Sequence, residues 1–213
     1  MPKETLIRLN IAIKPSEEAI ARVIELSQEL GVKCEHEFVL DGKNFFPHIT
    51  VYSPLFPEKN IEKIIEATEK LVQKFKVLEM KYLKITPNQG WIGVEFENTD
   101  EIKSFHEAVI SEINFLREGH QLPEFENFDY RAKLSQEKLN NIDKYGFPSS
   151  MTLYHPHLTI IRLKGTDEAD QIASEIKWDI PSFKSDMVVI YKMGEHGTCV
   201  GLVKEFKLNY NAN

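Results

Sequence analysis

FFPHITVYSP, residues 45–54, sets a histidine between a proline and a short β-like run, and LYHPHLTIIRL, residues 153–163, repeats the arrangement. Each holds Pro-His-aliphatic-Thr: Pro47-His48-Ile49-Thr50 and Pro156-His157-Leu158-Thr159. Residues i and i+2 of a strand share a face, so His48 projects with Thr50 and His157 with Thr159. Tyr52 is expected to extend the first row and Ile161 the second. A lone His-x-Thr in a strand is usually structural, and a proline simply marks a strand start. Two copies are different, because this composition gives roughly a few thousandths of a copy by chance.

Working outward, the two stretches sit at equivalent points of a repeated plan. LIRLNIAIK alternates as a half-buried strand, with Ile7, Leu9, Ile11 and Ile13 on one face and Arg8 and Asn10 on the other. A helix follows, capped by Ser16, with Ile20, Val23, Ile24, Ser27 and Leu30 inward and Gly31 as its stop. After the His48 strand come a helix led by Asn60, a strand pair around Asn88-Gln89-Gly90, and a third helix from Thr99. From His157 the pattern recurs: strand, a helix from about Thr166 or Asp167, then FKSDMVVIYKM and TCVGLVKEFKL around a Gly-flanked turn. His48 and His157 are 109 positions apart, and Tyr82 and Tyr191 share that offset. The expected organisation is one bilobal domain over 1–213, with a first repeat near 1–97 and a second near 98–213. Residues 119–153 have no counterpart before His48, so they read as an insertion, with a short helix at 134–142.

Bulk properties exclude several functions. The 213 residues are 42% hydrophobic and 28% charged with a net charge of −7, a composition able to bury a sizeable core. Coating long nucleic acid calls for basic excess, so any phosphate is bound locally, in a pocket. Cys34 and Cys199 make neither a disulfide framework nor a C-x-x-C zinc pair. MPKETLIRLN has no signal-peptide core, and no run of about 18 apolar residues suggests a membrane span. Reducing cytoplasm is the expected compartment, no membrane partner is expected, and a monomer is the default. His-x-x-x-His spacing is missing, so no metal or other cofactor is called for.

If two lobes bring the two rows face to face, one cleft holds two imidazoles and two hydroxyls. That set suits phosphodiester chemistry: one histidine takes a proton from the attacking group, the other gives one to the leaving oxygen. The hydroxyls hold non-bridging phosphate oxygens.

These residues resemble the two-histidine (2H) phosphoesterase superfamily, of 2′-5′ RNA ligase-like proteins and cyclic phosphodiesterases, in its two His-x-Thr/Ser motifs. RLNIAIKPSEE resembles the family's first strand and helix start, and PHLTIIRL its second motif, which often ends in an arginine such as Arg162. The resemblance implies an α+β fold of two pseudo-symmetric lobes of antiparallel sheet backed by helices, with a central cleft carrying one motif from each half. It implies metal-independent opening or forming of 2′,3′-cyclic or 2′-5′ phosphodiester bonds, on RNA ends or small nucleotides. It assigns catalysis to His48, Thr50, His157 and Thr159.

Substrate contacts are expected from Tyr52, as a stacking platform; from Arg162, if a bulge or the strand end turns it to the histidine face; and from Tyr191, as a cleft wall. Arg8 is expected at solvent, and His106, His36, His120 and His196 have structural roles. His155 shares the His157 face, at the cleft edge. The competing reading is a non-catalytic module that binds a nucleotide or RNA end in the same cleft.

Overall fold

The computed structural model describes residues 4–209. Strand β1 (Leu6–Ile13) buries Leu9, Ile11 and Ile13 towards the helices and turns Arg8, Asn10 and Ala12 to the other face. Ser16 caps α1 (Glu17–Lys33) by accepting from the Ala19 N–H. The helix runs through Gly31 rather than stopping there. A Cβ on Gly31 would lie 2.5 Å from Val39 Cγ2, so glycine here admits β2 (His36–Val39), which returns against the helix.

Next come β3 (Ile49–Tyr52), β4 (Leu55–Pro57) and α2 (Ile61–Val72). The hairpin of β5 (Leu78–Asn88) and β6 (Trp91–Phe96) turns at Gln89 and Gly90, whose φ values of 50° and 83° suit a tight hairpin loop. Thr99 caps α3 (Asp100–Ile113). The inserted segment holds a 3-10 turn at Pro123–Glu126, α4 (Phe128–Arg131) and α5 (Gln136–Tyr145), the last capped by Ser135. Then follow β7 (His157–Leu163), α6 (Ala169–Glu175), β8 (Ser182–Ser185), β9 (Met187–Met193) and β10 (Cys199–Lys207).

The ten strands of the described residues form one antiparallel sheet in the order β10-β9-β1-β3-β7-β6-β5-β8, with β4 also on β1 and β2 also on β7. The fold is thus α+β, with helices packed on one face of a curled sheet. The seam between β3 and β7 has four strands of the path on each side, which makes the two lobes pseudo-symmetric. Each lobe, however, draws strands from both halves of the chain: β9 and β10 join β1 and β3, while β5 and β6 join β7. FKSDMVVIYKM, read as one strand, is two. β8 pairs with β5 in one lobe and β9 with β1 in the other. Only Asp186 separates them in sequence, so the far edge of the sheet must curl back towards β9.

The insertion is ordered by a small core of Leu122, Phe125 and Ile142. Arg117, a buried cation, ties it to the end of α3. Its guanidinium donates to the carbonyls of His120, Asp143 and Lys144 at 2.8, 3.2 and 3.0 Å, and to Asn114 Oδ1 at 2.9 Å. A buried charge held by this many acceptors fixes the geometry of what it holds.

Candidate active site

One ladder pair organises the centre of the molecule. β3 and β7 pair antiparallel at Ile49↔Leu158, and both side chains are fully buried on the helix side. Their neighbours therefore point to the opposite, concave face. In this register Thr50 stands opposite His157, and His48 opposite Thr159. Directly opposed residues lie about 5 Å apart at Cβ, and the two histidines, as diagonal neighbours, about 7–8 Å. A cavity of about 380 Å³ opens over them, lined by all four and by Arg8, Ser53, Thr86, Glu95, Tyr154 and His155, among others.

Both rings are fixed in the same way. His48 Nδ1 lies 2.8 Å from the Phe46 carbonyl, and His157 Nδ1 3.1 Å from the His155 carbonyl. A carbonyl only accepts, so each Nδ1 bears the hydrogen and each Nε2 is left to take or give a proton. Burial pushes His48 from 6.5 down to about 4; the Phe46 carbonyl opposes this and the nearby His157 adds to it. His157 keeps accessible surface, but it stands in a concavity walled by protein, and burial lowers it too. The His155 carbonyl and the Glu95 carboxylate, which faces it across the β6–β7 ladder, pull His157 back up.

The two hydroxyls are held differently. Asn10 Nδ2 donates to Thr50 Oγ1 at 2.8 Å, which occupies an oxygen lone pair and leaves the Thr50 hydrogen for the cleft. Asn10 is fully buried and its Oδ1 has no partner among the described residues, a cost accepted in the core beside the site. Thr159 faces Gly93, and Gly93 faces Thr86, so the missing side chain opens the floor between two threonines. A Cβ there would sit 3.1 Å from the Leu158 carbonyl oxygen.

Tyr52 does not extend the His48 row. The β1–β3 register slips between Ala12↔Thr50 and Ile11↔Tyr52, and this bulge swings Tyr52 to the core, where it is 0% exposed. Its hydroxyl lies 2.6 Å from the Tyr145 carbonyl and 2.9 Å from Asn114 Oδ1, so it helps to seat the insertion. The matching slip in β7, between Thr159 and Ile161, buries Ile161 and turns Arg162 to the Thr159 face. Arg162 then stacks on Trp91, 4.8 Å from the ring centroid, and contacts His196 Nδ1 at 3.0 Å; it does not line the cavity, although Trp91 does. Tyr191 is buried on the cleft side of β9, stacked on Phe46 at 5.3 Å and 6.3 Å from the His48 ring. It backs the histidine and does not line the cavity. Arg8, expected at solvent, does line it.

His106 has the structural role expected of it, but the sequence did not show what it joins. It is 0% exposed on α3. Its Nδ1 donates to the Val51 carbonyl at 2.8 Å, and its Nε2 accepts from the Met151 N–H at 2.9 Å. Tyr154 stacks on it, with centroids 3.8 Å apart and planes 4° off parallel, and donates its hydroxyl to the Thr50 carbonyl at 3.2 Å. One ring thus joins the strand of the first motif to the approach of the second. Its partners are backbone groups, and they leave no mark in the sequence.

Among the described residues, no group of three His, Cys, Asp or Glu side chains is placed to hold a metal ion, and no helix is long and apolar enough to cross a membrane. A wider depression of about 530 Å³ between α1 and α6 is lined largely by charged side chains, including Arg22, Glu29 and Lys177, and contains no motif residue.

The model of the 2′-5′ RNA ligase superfamily matches residues 15–197, a span that holds both motifs. The chain belongs to this superfamily. Among solved structures, TT0787 of Thermus thermophilus is similar over 96% of this chain and 100% of its own, at 13% identity and a TM-score of 0.60. LigT of E. coli in complex with 3′-AMP is similar over 96% and 99%, at 11% identity and a TM-score of 0.51. At such identities the likeness is one of fold. No curated protein matches the sequence. Membership of the 2′-5′ RNA ligase superfamily supports a phosphoesterase or RNA ligase-like function for the chain.

Proposed function

We propose that this chain is a metal-independent phosphoesterase that acts on 2′,3′-cyclic or 2′-5′ phosphodiester bonds of RNA ends or small nucleotides. The observation that carries this reading is the Ile49↔Leu158 pair, which gathers two imidazoles and two hydroxyls over one cavity. One Nε2 takes the proton of the attacking water as its oxygen bonds to phosphorus. The P–O bond to one ribose oxygen breaks, and the other imidazolium gives that oxygen a proton. Thr50 and Thr159 donate to the non-bridging oxygens, where charge rearranges. The acid and base exchange roles when the reaction reverses, which makes bond formation available to the same groups. That LigT is solved with 3′-AMP, a nucleotide of the kind that ring opening yields, supports the substrate class.

The test is turnover of a panel of 2′,3′-cyclic nucleotides and 2′-5′ dinucleotides in excess EDTA. His48→Ala and His157→Ala are each expected to lose about 100-fold or more in kcat while remaining folded. Activity that survives either substitution, or that EDTA abolishes, overturns the mechanism. Tight binding of one nucleotide with no turnover on the whole panel replaces it with a binding module.

A further inference from the structure

We propose that Arg8 and Ser53 form a second anion subsite in the cleft, which takes a phosphate one nucleotide step from the scissile one. The preferred substrate then carries two phosphates. This inference rests on the reading that the paired motifs hold the first.

Among the described residues, Arg8 is the one Lys or Arg side chain lining the cavity. Arg8 is half-buried, and desolvation lowers its pKa. Its hydrogen bonding to those residues is limited to Nε and the Ser53 carbonyl at 3.5 Å, which is long for such a bond. The two terminal amino groups of the fork have no acceptor among them. Glu124, which lines the same cavity, favours the cation through its field but makes no ion pair with it. A half-buried cation without a counter-ion has lost part of its hydration uncompensated, and ligand charge offsets that loss. Ser53 supplies a second, independent sign: it is 1% exposed, its Oγ has no partner, and it lines the same cavity. Vacant guanidinium donors and a vacant hydroxyl facing one space suit an anion. A planar fork suits a phosphate in particular.

Position separates this subsite from the first. Arg8 precedes Asn10 by two residues on the same face of β1, about 7 Å along the strand, and Asn10 holds Thr50. The 3′ and 5′ phosphates of a nucleotide are spaced by a similar span. Glu95 and Glu124 also line the cavity, so it is no track for a long polyanion. The second phosphate can come from a free 5′-phosphorylated nucleotide or from the last internucleotide link of an RNA end.

Calorimetric titration of the whole protein with a nucleoside 3′,5′-bisphosphate and with the 3′-monophosphate tests the subsite without turnover. The bisphosphate is expected to bind about tenfold tighter or better. Arg8→Gln is expected to bring the two ligands to one affinity, and Ser53→Ala to narrow the gap. Equal affinities in the unsubstituted protein overturn the proposal. So does an Arg8→Gln protein that weakens both ligands by the same factor, which would place Arg8 on the scissile phosphate. Turnover of a 2′,3′-cyclic mononucleotide, its 5′-phosphorylated form and a cyclic-ended oligonucleotide then separates the sources. A gain confined to the mononucleotide assigns free nucleotides; a gain shared by the oligonucleotide assigns RNA ends. Turnover without a bisphosphate preference removes the subsite and leaves the phosphoesterase. An Arg8-dependent preference without turnover does the reverse.

Discussion

Replacing His106 tests whether one buried ring sets both the stability of the fold and its sensitivity to acid. Burial pushes its imidazole from 6.5 down to about 4. At about 1.4 kcal/mol per pH unit, keeping this ring neutral corresponds to about 3 kcal/mol. The folded value is the depressed one, so the unfolded chain takes the proton first as pH falls. The contribution is fully present above 6.5, is lost as pH falls towards about 4, and is flat below that. His106→Gln keeps one donor for the Val51 carbonyl and one acceptor for the Met151 N–H but cannot titrate. In urea unfolding across this range it should lose about 2–3 kcal/mol less than the unsubstituted protein. Comparing the two proteins cancels the contributions of His48 and His157, which titrate over the same range in both. His106→Leu leaves both backbone groups unpaired, at about 1–3 kcal/mol each, and loses a ring stack of about 1 kcal/mol. Parallel pH–stability curves for the glutamine variant and the parent would refute the argument.

Four further outcomes follow from the structure. Both histidines are depressed, His48 to about 4 and His157 below 6.5, so kcat/KM should peak below pH 6.5. Glu95→Gln should move the alkaline limb to lower pH, because that carboxylate favours the His157 cation, and an unmoved limb counts against the pairing. Asn10→Leu should cut kcat by about tenfold with no fall in melting temperature, since the lost amide carries an unpartnered Oδ1; unchanged kcat would mean that Thr50 needs no orienting partner. Tyr52→Phe should cost about 1–2 kcal/mol in urea unfolding and leave KM unchanged; a raised KM would return Tyr52 to the substrate.

How far the sequence could be read depends on what breaks strand parity. The shared face of His48 with Thr50 and of His157 with Thr159 was readable because the register slips fall after each threonine and not between it and its histidine, and because the pattern recurs. Tyr52 and Arg162 lie beyond bulges at Thr50–Val51 and at Thr159–Ile161, and alternation counted across a bulge reports the wrong face. Arg8 looked like a solvent residue because a polar strand face is usually wet; here that face lines a cleft, because β1 lies next to the seam. The paired repeat did indicate two lobes. Which strands each lobe contains depends on pairings such as Ile11↔Ile190, and no local pattern encodes those.

That pairing has a consequence for synthesis. β1 meets β3 early, but its other edge waits for β9, so Ile11 cannot pair with Ile190 until nearly the whole chain is made. At about 5–20 residues per second the delay is roughly 10–40 s. During it, an apolar strand offers unpaired N–H and C=O groups to any neighbouring chain. Arg8 and Asn10, which the site needs inside, sit on that strand. The last hairpin, β9–β10, therefore both protects the nascent chain and completes the cleft.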